Sequence, residues 1–547
     1  MQLTSTFMYR NAVKQAIYLA ALFVLLAFLF LPQSLYSINI FDEGFIVSGA
    51  MLVNDGKLPY RDFLSMYGPG QYYVTAAIFS VLGEELRFVR YLHVALLASL
   101  GLTTHLLAKQ STRGTAGPLL LLLAYIGIVM FAKPSVGYPA ITATLFLLLG
   151  AFGLIKWADT FRADGLVLAS CMIGIAGLFR WDFGIFGLLA LAFTLAMVMM
   201  QERGNADRPI PFISWVIAAL GPAILILAVI YIPLLVIFSN PVRWYQEVVH
   251  FSLTEFSKWR NLEFVQPNVW ALLGSNSAIN FERAALSLAY LLLPLALAIG
   301  GIITVAQVHF RRRAKPIEKN IIVLTAYLTL ICFFLLNQMR VRPTLWQGFP
   351  AMAVSLPLIV LLWDYYKDEI KRSKPMTMTL KITGFILGAM LFNMALHGLH
   401  VSTDERLIAL ETPRSTDIRI KPDTQPYIDL VKYVHDNTRP GEAIFSGVQD
   451  HSRLVIHDAM LYFLTDRPPA DRFLELEPGI SNTRRGQEEL IKSIQQKNVR
   501  VIVLADILSD EPNLTSRSNG VTILDEFIRA NYRFDRSFGN QMVFIKK

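Results

Sequence analysis

The sequence predicts a polytopic α-helical membrane protein of about eleven spans that ends in a small C-terminal α/β domain, and three observations carry that prediction. Hydrophobic residues make up 54% and charged residues 17% of the 547 positions, and the mean hydropathy is +0.46, too apolar for an ordinary soluble chain. The apolar residues gather in runs that approach or reach the length needed to cross a bilayer, about 17–25 residues each. After about residue 400 the composition turns polar, and helix-like and strand-like patterns alternate.

The first span, 16–31, follows Arg10 and Lys14. No small-residue cleavage site follows it and further spans do, so it reads as a retained anchor with its N-terminus in the cytoplasm. The other spans fall at 91–108, 118–132, 138–155, 166–179, 183–200, 212–238, 284–308, 321–336, 349–363 and 382–399. Residues 71–83 are also apolar, but a run of about 13 residues suits an interfacial or re-entrant helix. Basic residues stay on the cytoplasmic side of short loops. Lys109, Arg113, Lys156, Arg162, Arg203, Arg208, the RRRAK run from Arg311, Lys319, Lys367, Lys371, Arg372 and Lys374 all fall on the side of Arg10 and Lys14. The opposite short connections hold Lys133, Arg180, Arg340 and Arg342. This sidedness requires 166–179 and 183–200 to be two spans, because a single kinked helix would invert everything after it. The net charge of +9 is then mostly a topology signal and implies no nucleic-acid partner.

Cys171 and Cys332 lie inside apolar spans and read as packing residues, excluding a disulfide framework or thiolate metal site. The C-terminal part, 401–547, reads as helix at 426–437, strand at 442–448, helix at 484–498, strand at 499–505, helix at 521–532 and a strand pair split by Gly539 and Asn540. Eleven spans place it on the extracytoplasmic side, together with the first outer loop, 33–90; residues 1–400 form the membrane domain.

Ionisable groups at membrane depth are costly and usually functional. Here they cluster at the outer ends of spans, which argues against an ion-coupled transporter with midplane relay groups. Asp42 and Glu43 stand side by side in FDEGF just after the first span, and KLPYRDFLSMYGPGQYY follows. Lys133 follows the third span, Arg180, Trp181 and Asp182 separate the fifth and sixth, and Arg340 and Arg342 follow the ninth.

The stretch FDEGFIVSGAMLVNDGKLPYRDFLSMYGPGQYY, followed by a glycine turn and ELRFVRYLHV, resembles the first extracytoplasmic loop of the GT-C glycosyltransferases, the superfamily of the protein O-mannosyltransferases and the lipid A aminoarabinose transferases. FRWD at the outer end of a middle span is similar to the family's pattern, and RVRPTLWQ is a looser match. The resemblance implies a polytopic enzyme that moves a sugar from a polyprenyl-phosphate donor to an acceptor on the outer face of the plasma (inner) membrane, with inversion at the anomeric carbon. It also implies that a divalent cation can sit near Asp42, although no second acidic cluster of ligand spacing supports one.

Direct displacement at a sugar carbon needs one base for the acceptor hydroxyl, because a phosphodiester already supplies a good leaving group. Glycoside hydrolysis differs in needing two carboxyls. Asp42 is assigned as general base, a role worth about 10²- to 10⁴-fold in rate, and Glu43 as its neighbour that orients the acceptor or a loop cation. The donor phosphate calls for positive charge, and the guanidinium fork suits it. Arg180 is the first choice, with Lys133, Arg340 and Arg342 on the same face. Tyr67, Tyr72 and Tyr73 are candidates to line the sugar or lipid entry, or to form an interfacial aromatic belt. Arg61 and Asp62 hold the loop in shape, and Asp182 lies in the pocket or pairs with Arg180.

His93 and His105 are too far apart on one span to share a metal, and His451 and His457 with Asp450 and Asp458 read as surface hydrogen-bonding groups before a metal or acceptor site. The 240–283 loop mixes Trp244, Tyr245, Trp259 and Trp270 with Arg243, Lys258 and Arg260, as interfacial helices do. Together with the C-terminal domain it is expected to roof the site. A lipid-linked sugar flippase or a non-catalytic envelope-assembly protein is the alternative, but neither needs the acidic residue in the first loop. The acceptor class is open among lipid, glycan and protein hydroxyls.

Overall fold

The computed structural model describes residues 2–110, 116–202, 212–264, 267–274, 277–311, 319–454, 456–507, 511 and 513–547. Eleven apolar helices occupy the eleven predicted spans. Among the described residues nine are long and apolar enough to cross a membrane: α1 (Gln2–Ser34), α4 (Leu86–Gln110), α6 (Pro139–Thr160), α8 (Trp181–Glu202), α9 (Phe212–Ile232, continuing to Ile237), and the helices Ala278–Arg311, Lys319–Val341, Leu345–Arg372 and Lys374–Ser402. The two shorter ones are α5 (Ala116–Ala132) and α7 (Ala163–Phe179). The chain is a multi-pass membrane protein. The α7–α8 junction is a true break, since Arg180 is extended at φ −138° and ψ 103°. Arg113, Arg203, Arg208 and the basic run after Arg311 lie outside the described residues. Lys156 pairs with Asp164 at 3.2 Å, and Lys319 sits 4.3 Å from the Phe161 ring, so these basic connections share one end of the bundle.

The opposite end carries two more helices, α2 (Asp42–Asn54) and α3 (Gly70–Leu82). The α3 helix leaves Tyr73, Val74, Val81 and Leu82 exposed, as an interfacial helix would. No helix was expected at α2, because its residues are buried on every face and carry no amphipathic signal. The Gly68 amide donates to the Phe179 carbonyl at 3.0 Å, which pins the first loop to the α7–α8 break. A Cβ at Gly68 would lie 2.2 Å from the Leu178 carbonyl oxygen, so only glycine permits this approach.

In the C-terminal part, β1 (Ile408–Ala409) and β2 (Arg419–Ile420) form a short antiparallel ribbon tied to the end of α1 by Ser37 N–H to Arg419 O at 2.7 Å. A four-stranded sheet follows in the order β3-β4-β6-β5. β3 (Phe445–Val448) lies parallel to β4 (Val501–Ala505), with the Arg484–Gln496 helix between them in the chain. β5 (Tyr532–Phe538) and β6 (Gln541–Lys546) complete it antiparallel through the predicted Gly539–Asn540 turn. The helices Gln425–Asn437 and Ile523–Asn531 also fall where the patterning predicts them.

This region and the first loop share one hydrophobic core, in which Phe45, Ile46 and Met51 of α2 meet Ile428, Val431, Met460 and Phe463. The Ala459 and Met460 amides both donate to the Ile40 carbonyl at 3.0 Å, and the Ser48 hydroxyl donates to the Ala459 carbonyl at 2.8 Å. At Gly44 a Cβ would stand 2.4 Å from the Met460 nitrogen. Gly44→Ala is therefore expected to force the two backbones apart and to cost about 1–3 kcal/mol, read as a lowered unfolding midpoint of the purified protein.

Candidate active site

The site is built around the first turn of α2. Asn39 sets that turn by accepting hydrogen bonds from the backbone N–H of Phe41 at 3.0 Å and of Asp42 at 2.9 Å. Its amide nitrogen donates to Asp42 Oδ2 at 3.2 Å and to Ser135 Oγ at 3.1 Å, tying the turn to the α5–α6 connection. Asp42 is enclosed by protein yet keeps some accessible surface. Burial pushes its carboxyl up to about 6, against the Asn39 hydrogen bond and the positive charges of Arg260 and Arg342. Asn39→Ala is expected to cost about 1 kcal/mol through the lost cap and to move Asp42 further up, since the deleted bond favours the ionised form. A pH titration of Asp42 checks the second effect.

Glu43, by contrast, is turned into the core. Arg90 on α4 grips both its oxygens, Nε to Oε1 at 2.8 Å and Nη2 to Oε2 at 2.7 Å, and each side chain of the pair is only 1% exposed. Arg90 Nη1 also donates to the Ser34 carbonyl at 2.7 Å. The expected acceptor-orienting role passes to no atom of Glu43. Its place is a buried clamp joining the first loop to the membrane bundle.

Arg180 is buried and bidentate to Asp182, at 2.9 and 2.7 Å. Its guanidinium also reaches the Tyr138 hydroxyl at 3.3 Å and lies 5.0 Å from the Tyr67 ring centre. Gln338 donates to Asp182 Oδ2 at 2.8 Å. Tyr67 interacts electrostatically with Asp42, Arg180, Tyr138 and Glu475, which makes its hydroxyl the hub of the cluster. On the other flank Arg342 is bidentate to Glu511, at 2.9 and 2.7 Å, and donates to the Arg260 carbonyl at 3.1 Å. Burial pushes the Glu511 carboxyl up, but Arg342 outweighs it and brings it down to about 2.

The 240–283 loop and the C-terminal region meet through ion pairs and hydrogen bonds. Arg243 bonds Glu489 at 2.8 Å, and Arg472 bonds both Glu247 and Glu489. Asn513 donates to the Asn261 carbonyl at 3.0 Å. The segment after Arg472 brings in Glu475 and Glu477, both buried and within electrostatic reach of Arg260. Burial raises both carboxyls, and Glu475 is raised further by Glu477.

Other candidates lie apart. Arg61 pairs with Asp62 at 2.6 Å, and Asp62 accepts from the Leu58 amide at 2.8 Å, so the two hold the loop as expected. Tyr72 is packed in the core with its hydroxyl on Ser65 Oγ at 2.9 Å, and Tyr73 is exposed. Lys133 is exposed, as is Arg340, whose Nε donates to Asn337 Oδ1 at 3.1 Å. His451 is paired with Asp525 at 2.6 Å, Asp458 accepts from the Tyr427 hydroxyl at 3.1 Å, and both histidines are buried, which corrects their reading as surface groups. His457 packs edge-on against Phe41, beside Asp42. His105 bonds the Pro118 carbonyl at 3.0 Å, far from any metal-like grouping. Among the described residues no three His, Cys, Asp or Glu side chains are gathered to hold a metal ion. The immediate charged neighbours of Asp42 include two arginines, a donor set that does not suit a divalent cation.

Sequence reading missed Arg90, Tyr138, Gln338, Glu475 and Glu477, and placed Arg260 only in the roof. In FLELEP the two glutamates alternate with leucines, a pattern that ordinarily marks a solvated strand face.

No family model and no curated protein matches the chain. Among solved structures, the Archaeoglobus fulgidus oligosaccharyltransferase, crystallised with a tethered acceptor peptide containing the NVT sequon, aligns over 97% of this chain and 74% of its own at 11% identity and a TM-score of 0.51. ArnT from Cupriavidus metallidurans in the apo state aligns over 98% of both chains at 14% identity and a TM-score of 0.44. The chain has the fold of the archaeal enzyme.

Proposed function

We propose that the protein is an inverting glycosyltransferase that moves a sugar from a polyprenyl-phosphate donor to an acceptor hydroxyl at the outer face of the plasma membrane, with its N-terminus in the cytoplasm. The observation that carries this reading is Asp42, a partly accessible carboxylate at one end of the bundle, flanked by Arg260 and Arg342 and close to the Arg180 cluster. Asp42 takes the proton from the acceptor hydroxyl as its oxygen attacks the anomeric carbon. The bond to the phosphate oxygen breaks on the opposite face, and the leaving polyprenyl phosphate keeps the electron pair. Arg260, Arg342 and Arg180 supply positive potential on the phosphate side. Arg180 is held by Asp182, so its contribution is a fixed field, and direct phosphate contact requires exchange of that partner. The lipid, glycan or protein that bears the hydroxyl approaches under the roof formed by the 240–283 loop and the C-terminal region.

The test is reconstitution of Asp42→Asn in liposomes with total polyprenyl-phosphate lipids from the source membrane. A transferase variant keeps binding donor and stops transfer. A variant that still transfers sugar removes this reading, and one that still moves lipid between leaflets points to a flippase.

A further inference from the structure

Three spans end together at the α2 end of the bundle, where α1 stops at Ser34, α4 starts at Leu86 and the last membrane helix stops at Ser402. Between these ends and the β1–β2 ribbon lies a cavity of about 480 Å³. Pro32, Leu35 and Ile418 give it an apolar side, and Tyr91, Asp417 and Arg419 a polar one. The ribbon is stapled to two of the three spans. The Arg419 amide donates to the Leu35 carbonyl and the Leu86 amide to the Arg414 carbonyl, both at 3.0 Å, and Thr416 donates to Glu85 through its amide and its hydroxyl, each at 3.1 Å. These bonds leave the polar side chains partly unused. Arg419 is exposed, and its guanidinium has no hydrogen bond or ion pair among the described residues. Asp417 takes one bond, from Arg87 Nη1 to Oδ2 at 3.1 Å, which leaves Oδ1 open.

We infer that this cavity binds a phospholipid of the surrounding leaflet by its phosphoethanolamine headgroup, with the phosphate on Arg419, the primary ammonium on Asp417 and the start of an acyl chain against Pro32 and Leu35. The site is independent of the transferase reading. Its position supplies the lipid, because span ends lie at headgroup level and Tyr91, 40% exposed beside the start of α4, is the residue type that settles there. Charge selects the headgroup. A guanidinium without a partner matches a phosphate, but a purely anionic lipid would bring its phosphate beside the Asp417 carboxylate with no cation of its own to offset it. A choline headgroup carries the positive charge without an N–H, so it leaves the open Asp417 oxygen unfilled. A primary ammonium supplies both.

The test gives the full chain in detergent equal amounts of dioleoyl phosphatidylethanolamine, phosphatidylglycerol and phosphatidylcholine, and counts the retained lipids by native mass spectrometry. The wild type is expected to keep the ethanolamine lipid several-fold over the other two. Arg419→Gln should lose that excess, and Asp417→Asn should keep the ethanolamine and glycerol lipids equally. Both side chains are exposed, and asparagine accepts the φ of +68° at position 417, so both variants keep the fold. Equal retention of all three lipids by the wild type, or a preference for phosphatidylglycerol, overturns the inference before any variant is made. An ethanolamine preference that survives both substitutions also overturns it, since the lipid then sits elsewhere. Soluble glycerophosphoethanolamine at the same concentration is expected to leave the bound lipid in place. Displacement by it would show that the chain adds nothing and would remove a bilayer lipid as the ligand.

Discussion

Transfer by the Asp42→Asn protein is expected to fall by about 10²- to 10⁴-fold, the usual contribution of a positioned base, while the variant itself becomes harder to unfold. Both effects come from one cause. Burial holds the Asp42 carboxyl at about 6 in the folded chain, against an ordinary value of 3.8. The folded state thus binds a proton more tightly than the unfolded one, and stability falls as pH rises from near 3.8 to near 6, then levels off. Above that window the ionised group costs about 3 kcal/mol, from about 1.4 kcal/mol for each pH unit separating the two values. Removing the charge returns up to that amount at neutral pH and nothing at pH below 3.8. Thermal unfolding of both proteins across this range checks it, and a variant less stable at neutral pH would contradict it. In the wild type, transfer should rise with pH and reach half its plateau near pH 6, where Asp42 loses its proton.

The second large effect belongs to Arg90. Arg90→Met strands the Glu43 carboxylate in the core, and removing one partner of a buried pair typically costs about 3–5 kcal/mol. The double variant Glu43→Gln with Arg90→Met should cost less than the two single changes added together, because no buried charge is left without a partner. Unfolding midpoints of the four proteins measure this coupling, and additive losses would show that the pair is not formed. Glu43 and Asp42 are adjacent in sequence, yet the first is gripped by Arg90 in the core and the second is the proposed base.

Much of the membrane part was legible because bilayer thickness imposes a length. All eleven predicted spans coincide with helices, including the pair divided at Arg180. The strands of the four-stranded sheet were legible from their β-branched residues and the Gly539–Asn540 turn, but the short β1–β2 ribbon was not. The buried helix Asp42–Asn54 was not, since a segment enclosed on all sides shows no periodicity. At the site Asp42 was visible through its local motif and Arg180 through its place at a span end. Glu475 and Glu477 enter from more than 400 positions away in the chain, and no local spacing records that meeting. The Asp42–Glu43 dipeptide shows the same limit from the other side, because only the partner of each carboxyl separates their tasks.

The backbone contact between Ile40 and residues 459–460, with Gly44 pressed against Met460, makes the polar end of the chain part of the scaffold that aims Asp42. A chimaera that grafts this end from another protein of the same fold would swap the wall against which α2 leans, so the polar end cannot be exchanged as a free-standing cassette. The transplant has to carry α2 and the 457–464 stretch across together.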